Sequence, residues 1–456
     1  MAPDGMLRTA IALVCFLAAM AHSAAAQVDQ ELATAWFAEA RELCERDAAR
    51  LWGVSLCGPM VVADAATGTI ATNQSAPDAE RPRALGYANA AMRWGDERWS
   101  TFVWQLVPRD DAQDRGRLMI HELFHRVQPE LGLITPDGDN SHLDTLEGRT
   151  WIQLEWRALA RALAATRAGS AESAEEERRD AIRDALAFRA ARRAAIPDAA
   201  ENERREEIRE GLAQYTGTVV SSPRRAAAVE DALEQLEEAP SQPTFVRTFG
   251  YTSGAAYGLL LDEHAPGWQR RISADDDLGA LLAAAVESEA PADIETTVAS
   301  AAVRYDAAEL RAAEQQRERE HRARVAELER RFVDGPVLIL PRGRGASFVT
   351  TGSTAIPGHG TVVASYRVES DWGTLEADWV LVASDGERLI VPAHESTEGP
   401  ILQGEGWTVE LAPRWSVVPG EREGDHRLER AADGARPREP SKVVALSSEP
   451  PRPFDR

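Results

Sequence analysis

Residues 115–128 read RGRLMIHELFHRVQ. Asp110 and Asp111 stand just before this run and Pro129 just after it. Acidic N-capping chemistry therefore lies at one end and a residue that cannot continue a helix at the other. The pattern predicts a helix, and on a helix HELFH at 121–125 acquires a meaning. Residues four apart lie one above the other, so His121 and His125 can offer neutral ring nitrogens to one ion. Glu122 is turned by about 100°, beside that ion rather than on it, where it can take a proton from water. This donor set suits Zn2+, which lowers the pKa of water and polarises a carbonyl. The competing reading is two helical histidines packed in a core. The strand-like run STFVWQLV (100–107) directly before the helix favours a site.

The surrounding chain predicts an α+β fold. Residues 30–51 carry the spacing of an amphipathic helix, 55–63 a strand, GTIAT a short return strand and 73–82 a loop. Residues 142–240 read as mainly helical. Within them, 171–200 is so rich in Glu, Arg and Ala that it reads as a solvated helix or hairpin. A further helix is expected over 201–216, one after Ser221 and two within 251–285. Residues 301–334 read as one long charged connecting helix. Strand-like runs separated by Gly, Pro, Asp and Ser then predict a small all-β domain over 335–420, with Trp372, Trp379, Trp407 and Trp415 as its core. PRGRGASF (341–348) lacks the Lys-Ser/Thr ending of a phosphate loop. The charged, Pro-rich tail 421–456 reads as disordered.

The chain has 456 residues, room for two or three domains. Its formal net charge of -23 excludes an ordinary nucleic-acid binder, which would show a basic stripe. Lys442 is the only lysine, and the Ala, Arg and Glu excess is that of a GC-rich, bacterial genome, which weakens any functional reading of Arg clusters. Residues 1–26 read as a signal peptide: Arg8, the apolar run AIALVCFLAAMA (10–21) and Ala24, Ala25 and Ala26 before Gln27. That run is too short to span a bilayer. The expectation is a periplasmic or secreted protein with no stable membrane insertion. Cys15 would leave with the signal. Cys44 and Cys57 are then either a disulfide or two buried thiols. Residues 27–300 form the expected catalytic unit.

A zinc site needs a third protein ligand. Glu210, in REGLAQY (209–215), is one candidate; His142, Glu147 and Glu155 are others. HELFH followed by EGLAQY resembles the gluzincin metallopeptidases, the peptidase MA-like and aminopeptidase-N-like groups, over roughly residues 100–260. In that family an xEGxAxY stretch on a second helix supplies the third ligand. The resemblance therefore implies a zincin-like fold, Glu210 as ligand, and Gly211 and Ala213 keeping two helices close. It also implies peptide-bond hydrolysis with Glu122 as the base. A downstream Tyr or His stabilises the oxyanion in this family. In FVRTFGYTSGAAYGLLLD (245–262) Tyr251 is preferred for that role over Arg247 and Tyr257. The separation of His125 from Glu210 exceeds the family's, and a helical insertion at about 142–200 would account for it. Glu147 lies nearer the usual spacing. His142 with Asp144 is a candidate outer-shell pair. The family's GxMEN motif is absent, so amino-terminal trimming is not implied. The alternative is a catalytically inactive, zinc-containing envelope protein whose β-domain binds a partner.

Overall fold

Helix α1 (Gln30–Asp47) starts where the Asp29 carboxylate accepts from the Glu31 and Leu32 N–H groups, and it buries Trp36, Phe37, Ala40 and Cys44 on one face. Cys44 is disulfide-bonded to Cys57, Cα atoms 5.3 Å apart, in the segment leading to β1 (Met60–Ala63). The computed structural model describes residues 27–165, 171–288, 293–343, 346–393 and 399–431. The signal-peptide reading for 1–26 and the tail beyond 431 lie outside the described residues. Among the described residues no helix is long and apolar enough to cross a membrane.

Strands β1, β2 (Ile70–Thr72), β3 (Ala90–Trp94) and β4 (Glu97–Val103) make a four-stranded sheet in the order β2-β1-β4-β3. β1 runs parallel to β4, and the other neighbours are antiparallel. β4 starts and stops earlier than the run 100–107. β3 has no counterpart in the sequence reading, because Ala90, Ala91 and Arg93 carry no β-preference. Helix α2 (Ala112–Val127) is the motif helix. The Asp111 carboxylate accepts from Gln113 and Asp114 N–H at 2.8 and 2.9 Å. Met119, Ile120, Leu123, Phe124 and Val127 are buried in the core. The Ser100 hydroxyl donates to the Glu122 carbonyl at 2.9 Å, fastening α2 to the sheet.

The helices that follow are α3 (Leu146–Ala164), α4 (Ala171–Ala195), α5 (Ala199–Glu206), α6 (Leu212–Ser221), α7 (Arg225–Glu238), α8 (Thr248–His264), α9 (Leu278–Ala285), α10 (Ile294–Arg304) and α11 (Ala307–Glu329). A π-helical turn, Glu207–Gly211, joins α5 to α6. The stretch read as one helix over 301–334 is interrupted at Tyr305 and Asp306, where Asp306 has φ 53°. It ends in a second π turn, Arg330–Asp334.

The solvated reading of 171–200 is corrected. α4 buries Ala181, Ile182, Ala185 and Phe188, and Arg178, Arg189 and Arg192 are buried with them. Arg192 donates to Glu155 at 2.5 Å and to Glu203 at 2.7 and 3.0 Å. Arg189 pairs with Glu207, and with Asp277 at 3.0 Å. Arg193 reaches Glu203 and Asp277, both at 2.7 Å. Charged residues in number mimic a wet surface, but here they neutralise one another inside. Breaking one such pair leaves an uncompensated buried charge, at a cost of about 3–5 kcal/mol.

The chain divides into two compact units between Arg319 and Glu320. The second is a nine-stranded sheet made by β5 (Val337–Pro341), β6 (Ser347–Ile356), β7 (Gly360–Ser370), β8 (Gly373–Ala383), β9 (Arg388–Pro392), β10 (Ile401–Gly404), β11 (Trp407–Leu411), β12 (Trp415–Pro419) and β13 (His426–Arg430). β7 runs along one edge of β8; the other edge is shared by β11 and β9. β13 pairs with β5 and β12, past the boundary read at 420. Trp372 and Trp407 are buried, their indole N–H groups donating to Pro341 O and Pro392 O, while Trp379 and Trp415 are half-buried against the apolar clusters.

α8 crosses the π turn at backbone contact. A Cβ on Gly211 would lie 2.9 Å from Gly250 O and 3.0 Å from the Gly254 Cα, and a Cβ on Gly254 would overlap Gly211. Gly254→Ala is expected to destabilise the protein by about 1–3 kcal/mol through overpacking, read as a lowered urea midpoint at unchanged m-value.

Candidate metal centre

His121 and His125 stand on one face of α2, as their spacing requires. Their Nε2 atoms are 3.0 Å apart. Each lies 3.3 Å from Glu210 Oε2, which the π turn carries in from the opposite side. These three residues are the group able to hold a metal ion among the described residues. Donors about 2.0–2.1 Å from a tetrahedral zinc are separated by about 3.3 Å, so the triangle has the right size.

Hydrogen bonds fix which ring nitrogens face inward. The Gln128 amide donates to the carbonyls of Ile208 and Arg209, at 2.9 and 3.0 Å, so its oxygen must be the atom 2.9 Å from His125 Nδ1. Nδ1 therefore carries the proton, and Nε2 is left as an acceptor. His121 Nδ1 lies 3.2 Å from Gln214 Oε1, and the Gln214 amide donates to Gln235 at 2.8 Å. Two imidazole lone pairs and a carboxylate oxygen thus converge, and what balances them is either protons or a cation. In the metal-free protein the proton wins. Burial opposes charge on His125, but the hydrogen bond to Glu210 and the charges of Glu122 and Glu210 outweigh it and push its pKa up to about 9. Burial likewise opposes charge on Glu210, and the two histidines hold it far below the usual carboxylate range.

Glu122 is 5 % exposed, and its Oε2 has no hydrogen-bond partner. Burial raises its pKa, against the pull of the histidines. Tyr251 stacks on the His121 ring, centroids 5.2 Å apart at 6°, and hydrogen-bonds Glu210. Burial and then the Glu210 charge keep its phenol protonated. Arg209 binds Asp137 and Glu206 and lies 3.5 Å from Glu210 Oε1. Glu206 is itself pushed up to about 8, by burial and then by Glu210. A cavity of about 340 Å³ opens beside Glu122, His125, Glu210 and Tyr251, walled by Asn89, Ala90 and Ala91 on one side and Leu133, Ile134 and Thr135 on another.

The structure places the rival ligands elsewhere. Glu147 is half-exposed and paired with Arg311. Glu155 is fully buried, held by Arg189 and Arg192 and by the Tyr257 hydroxyl at 2.8 Å, which also removes Tyr257 from the site. His142 bonds Glu203 at 2.9 Å, and Asp144 accepts from Thr244 and Phe245, so the two do not act as an outer-shell pair. Arg247 is exposed at the start of α8. Gln128, Gln214, Arg209 and the β3 wall were not found from sequence. Gln214 lies inside EGLAQY and Gln128 closes the motif run, the only signals either gave.

No family model, no curated protein and no solved structure matches this chain.

Gln128→Leu is expected to weaken zinc binding about 10–100-fold, measured by chelator competition. The pH dependence has a definite sign. His125 and Glu206 both have raised folded-state values, so their stabilisation is full below their unfolded pKa and is lost as pH rises through about 8 to 9. Chelator-stripped protein should melt at a lower temperature at pH 9 than at pH 6. Zinc-loaded protein should show a larger metal-dependent rise in Tm at the higher pH, because binding displaces protons.

Proposed function

We propose that this chain is an exported, zinc-dependent metallopeptidase of the gluzincin type, with a zincin-like catalytic unit. The observation that carries the reading is the convergence of three acceptor atoms within 3.3 Å, beside a buried carboxylate oxygen that has no partner. His121, His125 and Glu210 would hold the metal. When bound, zinc supplies Lewis acidity and lowers the pKa of water.

Glu122 removes the proton from the attacking water. Its raised pKa strengthens it as a base and lets it pass the same proton to the leaving amine. Tyr251, kept protonated, donates to the oxyanion that develops on the former carbonyl. β3 has β4 on one side and no strand on the other among the described residues. An extended peptide can lie along that free edge with its carbonyl over Glu122. The Cys44–Cys57 bond fits the oxidising compartment that the N-terminal signal implies.

The purified mature protein is expected to hold one zinc. His125→Ala and Glu210→Ala should lose it and Glu147→Ala should retain it, by elemental analysis. Glu122→Gln should keep zinc and lose peptide hydrolysis by about 10²–10⁴-fold. Zinc lost in His125→Ala but kept in Glu210→Ala would overturn the ligand set. Zinc without hydrolysis of any peptide in a broad library would leave a zinc-containing binding protein.

A further inference from the structure

Arg98 lines the cavity beside the candidate metal centre, and we infer that this cavity selects peptides with an acidic side chain flanking the scissile bond, recognised by Arg98. This inference rests on the peptidase reading above and names its substrate class.

The β3–β4 hairpin supplies the geometry. Trp94 opposes Glu97 across the two-residue turn Gly95-Asp96, and such a closing pair is hydrogen-bonded. Alternation along the ladder makes Met92 with Trp99 the next bonded pair. Ala91 and Arg93 therefore turn their N–H and C=O groups to the free edge. Side chains alternate as well. Trp94 and Trp99 pack together on the far face, rings 5.2 Å apart. Ser100, bonded to the Glu122 carbonyl, marks the near face, and Arg98 shares it. A peptide docked on the edge of β3 meets Arg98 beside the backbone groups it needs.

Charge then decides what that peptide carries. Arg98 and Arg209 are the arginines lining the cavity. Arg209 is engaged by Asp137, Glu206 and Glu210. The contact recorded for Arg98 is to a backbone oxygen, Ala91 O at 3.1 Å, and it has no carboxylate partner among the described residues. That oxygen belongs to the free edge, so a substrate strand competes for it and releases the guanidinium. The residue directly opposite Arg98 is Arg93, which also donates only to a carbonyl, Asp96 O at 3.2 Å. This is a non-hydrogen-bonded pair, the geometry that brings side chains closest, and like charges so placed repel. Two arginines side by side in a chain of net charge -23 are relieved by a carboxylate between them, which a guanidinium fork can bind through two hydrogen bonds. Glu122 and Glu210 cannot serve, since one is the base and the other a metal ligand.

The test uses zinc-loaded full-length Glu122→Gln protein and fluorescent peptide pools that differ only in Glu against Gln at one scanned position. Binding is read by anisotropy. Glu pools are expected to bind about tenfold tighter at the recognised position, the scale of one exposed charge-assisted contact. Adding Arg98→Gln should bring the ratio to about one. Arg98→Glu should invert the ratio and favour the Gln pools, with zinc content as the check that the site is intact. Equal affinity for Glu and Gln pools, no binding, or a ratio unchanged by Arg98→Gln would overturn the inference. Wild-type cleavage of the same pools separates the two claims. Acid-selective binding without cleavage sinks the peptidase reading and leaves acid recognition standing; cleavage with no acid preference does the reverse.

Discussion

The backbone contact between the π turn and α8 is the constraint on which the candidate metal centre depends. Gly211 on one side and Gly250 and Gly254 on the other let two helices approach more closely than any side chain would permit. Only at that separation does Glu210 reach the histidines while Tyr251, one residue after Gly250, lies flat on the His121 ring. The ligand and the phenol are thus positioned by what is missing between the helices. Gln128 completes the arrangement from α2, holding His125 with its oxygen and the π turn's carbonyls with its nitrogen. One side chain thereby ties His125 to the backbone that carries Glu210.

The part of this legible in the sequence is the part written in local rules. Asp111 and Pro129 bracket α2, and the four-residue spacing of His121 and His125 survives into three dimensions because helical geometry fixes it. Glu210 could be picked out only through the resemblance of EGLAQY to the gluzincin stretch, since nothing local sets it apart from Glu147 or Glu155. β3 was illegible because its residues are weak strand formers, and its place is set by β4 and the turn between them. The burial of α4 was illegible for a different reason. Arg189 and Arg192 look like surface residues until Glu155 from α3, Glu203 from α5, Glu207 from the π turn and Asp277 from the start of α9 are brought to them. β13 escaped because charged residues such as Arg427, Glu429 and Arg430 alternate with Leu428, the single buried apolar side chain of the strand.

Ion pairing, buried or exposed, also explains why other glutamates of these helices do not join the histidines. Glu147, Glu155 and Glu203 are each bound by guanidinium groups, and a carboxylate so engaged is not free to enter a metal's coordination shell. Glu210 differs because Arg209 approaches only its Oε1, leaving Oε2 turned to the histidines. Arginine pairing thus separates the glutamates held in ion pairs from Glu210, whose Oε2 is left to the histidines, a distinction composition alone conceals.

The π turn has a consequence for how this helix can vary. An α-helix advances by about 100° per residue, so its two halves normally keep a fixed rotational relation. The wider turn at Glu207–Gly211 breaks that relation. Upstream, Glu203 and Glu207 face the arginines of α4; downstream, Gln214 faces the first histidine. The turn acts as a phase shifter between two machines on one shaft. Substitutions upstream can retune the scaffold without rotating Glu210, whereas losing a single residue from the turn would swing one half out of register with the other.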